Sequence, residues 1–153
     1  MNKINYLLSI TSLVIWSGIT TITSQVPALA GDVSPLCKNR NMETEVAINT
    51  EEFYASICST GYIDRSSGCY ISNKYFYVGQ SRKTAESITL PATRQLQESP
   101  YRLIYKAKNG NYTYQIATTG GYGGNPWTSL SVFNKGKRSY HRKVNSYYGY
   151  YDC

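Results

Sequence analysis

Short runs of alternating side chains, separated by turn residues, most restrict the fold of this chain. In residues 44–49, Val46 and Ile48 alternate with polar or small side chains. A later pair of such runs is joined by Asn109-Gly110, the strongest short-range signal for a β-hairpin. About eight such strands, spaced about 8–12 residues apart, predict an all-β domain. We expect a single small antiparallel β-barrel or sandwich, held by disulfides.

Helical periodicity is nearly absent, and one segment is the exception. Residues 91–99 begin with Pro91, which suits the first position of a helix, and continue with residues of fair helix propensity. The run before it, residues 86–91, is predicted to be a strand that Pro91 ends. At most one short helix, of a turn or two, is therefore expected.

The first thirty residues have the order of parts of a secretory signal peptide. Lys3 supplies a positive start, residues 6–22 are uncharged and largely apolar, and Ala28 and Ala30 stand at the small-residue positions before Gly31. Ser, Thr and Gly interrupt the apolar part, which falls short of the roughly 20 apolar residues of a membrane-spanning helix. Cleavage between Ala30 and Gly31 is therefore predicted, with export to the periplasm or the extracellular space.

Removal of the signal peptide, residues 1–30, leaves residues 31–153 as one β domain, because no linker interrupts them. No later segment is apolar enough to span a membrane. The formal net charge of +7 becomes +6 when Lys3 is lost, and the charged residues are spread along the chain.

All four cysteines lie in the exported part, and an even number in a secreted chain predicts disulfides. Their spacings of 21, 11 and 84 residues do not fit the close pairs of a zinc site. Cys58 ends a predicted strand whose antiparallel partner begins shortly after Cys37. This proximity favours the pairs Cys37–Cys58 and Cys69–Cys153, in which Cys153 fastens the chain end. The pairs Cys58–Cys69 and Cys37–Cys153 remain the alternative.

Residues for catalysis are sparse. His141 is the only histidine, and it lies among lysines and arginines, where a solvated place on a strand is the simplest interpretation. No pair of carboxylates is spaced for acid and base catalysis. We therefore expect a protein that is not an enzyme and has no catalytic residue, no metal and no cofactor.

A basic strand near the end of the chain is the candidate binding element. Alternation along a strand predicts that Arg138, Tyr140 and Arg142 point one way and the intervening side chains the other. Charge on both faces predicts an edge strand or a poorly covered one, where basic side chains also prevent edge-to-edge aggregation. Four tyrosines follow it. The predicted binding face consists of cationic and aromatic side chains: Arg138, Tyr140, Arg142, Lys143, Tyr147, Tyr148, Tyr150 and Tyr151.

Four motifs, "LCKNRNMETEVAINTEEFYASIC", "FYVGQSRKTAESITLPA", "YKAKNGNYTYQI" and "SLSVFNKGK", follow one another in this order. In this order the chain resembles a group of small exported cyanobacterial proteins that have no established activity. Residues 62–74, with Cys69, and the tail, with Cys153, look like additions to that pattern. The resemblance therefore supports pairing Cys69 with Cys153.

A fainter similarity is to the periplasmic C-type lysozyme inhibitors, which are small, exported, disulfide-stapled β-barrels. Lys135-Gly136 matches a turn of that pattern, whereas no serine-glycine loop precedes Tyr112. A basic inhibitor would also be repelled by a basic lysozyme.

These observations predict an exported, non-enzymatic binding or structural module of the cell envelope, with an anionic polymer or glycan as the candidate ligand. The alternative is a proteinaceous inhibitor of an envelope-acting enzyme such as a lysozyme. An envelope polysaccharide or another protein is the expected partner. Nucleic acid is not expected, because an exported protein rarely meets it, and we expect a monomer.

Overall fold

A computed structural model describes residues 34–98, 101–119 and 127–145. Its elements are one short helix and eight antiparallel strands: α1 (Pro35–Lys38), β1 (Glu43–Asn49), β2 (Phe53–Ile63), β3 (Tyr70–Ser81), β4 (Ser87–Gln97), β5 (Arg102–Asn109), β6 (Tyr112–Thr118), β7 (Trp127–Asn134) and β8 (Lys137–Asn145). Each strand pairs with the next, so the strand order in the sheet is the order in the sequence. The sheet curls into a half-barrel, which confirms the all-β prediction.

The concave side of the sheet, called here the inner face, carries the main hydrophobic core. Alternation places every second side chain there; on β2, for example, Ala55 and Ile57 point inward. The buried members come from six strands: Val46, Ile48, Ala55, Ile57, Tyr77, Leu103, Tyr105, Ala107, Ile116 and Leu130. Because β1 contributes to this cluster and Tyr140 and Val144 of β8 pack against it, the curl brings the two ends of the sheet together.

The opposite side, the outer face, has a smaller cluster where α1 packs on β2 and β3. Leu36, Cys37, Cys58 and Val78 are buried there. A disulfide joins Cys37 to Cys58 with their Cα atoms 5.3 Å apart, so the predicted pairing is confirmed. Cys69 is also disulfide-bonded.

Cys153, the predicted partner of Cys69, lies outside the described residues. A buried disulfide is typical of proteins exported to an oxidising environment. In the described part of the chain, no helix has the length and apolar character needed to cross a membrane.

The helix predicted for residues 91–99 is wrong, because residues 91–97 belong to β4. Leu90 and Ala92 pack against the core from the inner face, and Pro91 lies opposite Phe76 of β3. Packing and strand pairing therefore override the helix propensity of this segment. The helix that does form, α1, has Pro35 at its first turn and was not predicted.

Residues 60–74 form a two-stranded arm, because β2 and β3 continue beyond the ends of β1 and β4. The arm exposes Tyr62, Ile63 and Ile71 to solvent. A Cβ atom at Gly61 would lie 2.0 Å from the carbonyl oxygen of Ile71, so only glycine fits there. The predicted end of this strand at Cys58 is therefore too early by five residues.

Candidate anion-binding face

The basic strand β8 stands at one end of the strand order, so within the described chain it is an edge strand, as predicted. A β-bulge interrupts its alternation, because Arg138 pairs with Phe133 whereas Tyr140 pairs with the preceding residue, Val132. Ser139 is the extra residue, and its hydroxyl donates to the Val132 carbonyl over 3.1 Å. Arg138 therefore points outward and Tyr140 inward. The prediction that they share a face is wrong.

Tyr140 and Arg142 are engaged at the inner face. The Tyr140 hydroxyl donates to Glu52 Oε2 over 2.8 Å and lies 3.1 Å from Thr50 Oγ1, while its ring packs edge-on against Phe53 at 5.2 Å. Arg142 Nη2 lies 3.2 Å from Glu52 Oε1. These contacts connect β8 to the turn between β1 and β2, so both residues stabilise the curl of the sheet.

The same contacts set the ionisation of Glu52. The hydrogen bond from Tyr140 lowers the pKa of the Glu52 carboxyl below its usual value, against a smaller effect of desolvation, and Arg142 adds to the lowering. Because a lowered folded-state pKa favours the ionised form, this contribution to stability is present above the unfolded-state pKa and is lost as the pH falls.

We expect Glu52→Gln to make the protein less sensitive to acid. An unfolded glutamate titrates near pH 4.3, so the native protein should lose stability relative to Glu52→Gln between roughly pH 5 and 3. Denaturant unfolding at several pH values measures this difference. Glu51→Gln, at an exposed neighbouring position, is the control. A difference in the free energy of unfolding between the native protein and Glu52→Gln that stays constant over this pH range would contradict the prediction.

The outer face of β5 to β8 is positively charged and has no acidic residue. From residue 99 to residue 151 the chain contains eight Lys or Arg and no Asp or Glu. Leu103 and Tyr105 of β5 point inward, so the alternate side chains of that strand point outward. The basic face, as we call this surface, is formed by outward side chains of β5 and β8: Arg102, Lys106, Lys108, Arg138, His141 and Lys143.

Uncharged side chains form the floor of the basic face. Between the cations of β5 and those of β8, the outward side chains of β6 and β7 include Thr113, Gln115, Ala117, Ser129, Ser131 and Phe133. Three interstrand spacings separate β5 from β8, which is about 14 Å. The ring of His141 is held over this floor, because its Nδ1 atom lies 2.9 Å from Ser131 Oγ. The result is a shallow surface with cations along both sides.

At one end of the basic face, two cations approach the same indole ring. The Arg102 guanidinium carbon lies 5.4 Å from the centre of the Trp127 ring, and Lys143 Nζ lies 4.6 Å from it. The side chains of Arg102 on β5 and Lys143 on β8 thus both extend toward Trp127 on β7, where cation–π attraction stabilises them. Arg102 Nε is shut off from solvent and has no hydrogen-bond partner in the described part of the chain.

Of the sequence-predicted binding residues, Arg138 and Lys143 belong to the basic face. Tyr140 and Arg142 do not, because they face inward. The predicted tyrosines of the tail, and the predicted cleavage site, lie outside the described residues: Tyr147, Tyr148, Tyr150, Tyr151, Ala30 and Gly31.

The sequence prediction missed the β5 members of the basic face, Arg102, Lys106 and Lys108. They are far from β8 in sequence and meet it only across β6 and β7. One signal could have found them, since the chain carries no carboxylate between residues 99 and 151.

Within residues 34–98, 101–119 and 127–145, no group of three or more His, Cys, Asp or Glu side chains is placed to hold a metal ion. Comparison of the chain with protein families, with characterised proteins and with solved structures finds no match. The resemblances drawn from the sequence therefore stay predictions.

Proposed function

We propose that this protein is an exported, non-enzymatic binding module of the cell envelope, periplasmic or extracellular, and that its basic face takes an anionic polymer such as an acidic polysaccharide. The observation that supports this function is the gathering of five Lys or Arg side chains and His141 on one face without a carboxylate. Like charges held together by the fold create a positive potential that attracts polyanions.

Protection of an exposed edge is the competing explanation for basic residues on a strand. It suits Arg138 and Lys143, which lie on the edge strand β8. It does not suit Lys106, because at this residue β5 is paired on both sides, with Thr93 of β4 and Gln115 of β6. The charge on β5 therefore favours a ligand over edge protection.

We expect the triple variant Lys106→Gln, Arg138→Gln, Lys143→Gln to bind an immobilised acidic polysaccharide at least about tenfold more weakly than the native protein at low salt. Its elution should need less salt, because the variant has three fewer cations on this face and salt screens exposed charges beyond roughly 8–10 Å. Elution from the column in a salt gradient measures the effect.

A matched control removes three cations outside the basic face. Lys38→Gln, Arg65→Gln, Lys83→Gln changes exposed residues of α1, the arm and the turn after β3. Both triple variants have the same net charge, so a general loss of charge affects them equally. Equal retention of the two variants would overturn the proposed role of the basic face.

An inhibitor of an envelope-acting enzyme remains the alternative, and one observation favours it. The arm exposes Tyr62, Ile63 and Ile71 to solvent, and clustered exposed apolar side chains mark protein contacts. Incubation with envelope polysaccharide and with periplasmic proteins separates the two functions. Capture of one enzyme, lost in Tyr62→Ser, Ile63→Ser but kept in the triple variant of the basic face, would support the inhibitor.

A further inference from the structure

Arg102, Trp127 and Lys143 form a compact unit at one end of the basic face. The two cations approach the same indole ring, at 5.4 Å and 4.6 Å from its centre, so their charges lie no more than about 10 Å apart. The strands β5 and β8, which carry the other cations of the face, lie about 14 Å apart. The unit is thus the place where the two sides of the face converge.

Within the described residues, neither cation of this unit has an anionic partner. Arg102 and Lys143 make no ion pair there, and Glu98, the carboxylate nearest to Arg102 in sequence, forms no salt bridge with it. Arg102 Nε is enclosed without a hydrogen bond. A cation that has lost part of its hydration without gaining an anion is costly, so a bound anion would stabilise it.

We propose that Arg102, Trp127 and Lys143 form a subsite for one tetrahedral oxyanion, the sulfate ester or phosphate monoester group of a polymer. The proposal rests on the proposed function and names the charged group that the basic face selects. Such an ester group offers several free oxygen atoms, so it can accept two hydrogen bonds from the Arg102 fork and one from Lys143. A carboxylate has only two oxygen atoms, so Lys143 would have to share an oxygen that already accepts from the fork.

The Trp127 ring has a positioning role in this subsite. Both cations sit within cation–π distance of the ring, so the indole is not free to stack on a sugar. The subsite therefore recognises the charged group and not the sugar that carries it. Polymers that carry sulfate esters or phosphate monoesters should bind alike, because both groups have the same number of free oxygen atoms, and a polyuronate should bind more weakly at the same charge density.

Tryptophan emission gives a direct test, because the chain contains only Trp127 and Trp16, and Trp16 lies in the predicted signal peptide. We expect inorganic sulfate to change the emission of the exported protein saturably, whereas chloride at equal ionic strength does not. Trp127→Phe, lacking the reporter, is the blank. Arg102→Lys, which keeps the charge but not the fork, should weaken sulfate binding about tenfold or more.

A second variant, Lys143→Gln, tests the subsite in case Arg102→Lys fails to fold. Lys143 is exposed whereas Arg102 is half-buried, so its replacement should leave the fold intact. It should weaken sulfate binding as well, and Lys83→Gln should not. Sulfate that affects emission no more than chloride would overturn the subsite, even if the native protein is retained on an acidic polysaccharide. Saturable sulfate binding without retention of any polymer would preserve the subsite and overturn the proposed function.

Retention on immobilised dextran sulfate, dextran carrying phosphate monoesters and polygalacturonate distinguishes the sources of the oxyanion. We expect the first two to hold the native protein to higher salt than the third. The difference should vanish in Arg102→Lys. Equal retention on all three by the native protein would contradict the selection of an ester group.

Discussion

Replacing both Cys37 and Cys58 with alanine is expected to lower the free energy of unfolding by about 3 kcal/mol. The disulfide closes a loop with a sequence separation of 21 residues. In the chain-entropy model, a loop of roughly that length is worth about 3 kcal/mol, because the cross-link restricts the unfolded chain. Both cysteines are also fully buried beside Leu36 and Val78, so the alanines lose packing contacts as well. Denaturant unfolding of the native and doubly substituted proteins measures the change.

Leu36→Ala is the matched control, because it loosens the same cluster and leaves the cross-link in place. Leu36→Ala should itself cost about 2–5 kcal/mol, so the slope of unfolding against denaturant, and not the size of the loss, separates the two causes. The slope should increase in the double alanine variant, because an uncrosslinked chain exposes more surface, and should stay unchanged in Leu36→Ala. An unchanged slope in the double alanine variant would show that packing under α1, and not the cross-link, carries the stability.

The strands could be predicted from the sequence because their alternation and turns agree. Lys135-Gly136, the turn between β7 and β8, is an example: both residues have positive φ, 49° and 81°, as a two-residue hairpin turn requires. β7 and β8 pair on either side of this turn as a hairpin. The segment 91–99 failed because its propensity is local, whereas the pairing of β4 with β3 and β5 depends on residues distant in sequence.

The candidate site was harder to predict, because it depends on which face each residue takes. The single extra residue Ser139 turns Arg138 to the outer face and leaves Tyr140 on the inner face, and no pattern in the sequence marks such a bulge. Lys106 joins Lys143 on one surface only through the order of β5 to β8. The sequence therefore predicts the charge of the site but not its members.

The tyrosines illustrate the same limit. Tyr105 and Tyr77 are buried in the core, whereas Tyr62 is well exposed on the arm. Composition alone cannot separate these positions, because a tyrosine ring suits a core, a half-buried strand or a binding surface. Strand pairing decides, since it determines which rings point to the inner face.

A glycine in β3 shows how closely that inner face is packed. Tyr77 is 4% exposed and stacks on Tyr114 with the ring centres 4.9 Å apart. A Cβ atom added at Gly79 would lie 2.7 Å from the Tyr77 hydroxyl oxygen and 2.8 Å from its Cε1 atom. The ring crosses the space above Gly79, and its stacking prevents it from moving aside.

We therefore expect Gly79→Ala to destabilise the fold by about 1–3 kcal/mol, the usual cost of overpacking a core. The decisive measurement is a double-mutant cycle with Tyr77→Leu, because leucine lacks the hydroxyl and distal ring atoms that the added Cβ would meet. In the Tyr77→Leu background the alanine should be neutral or stabilising, since glycine inside a strand is less favourable than alanine by roughly 0.5–1 kcal/mol. Unfolding of all four proteins gives the coupling. If Gly79→Ala costs as much in the Tyr77→Leu background as beside the native tyrosine, the ring is not what requires the glycine.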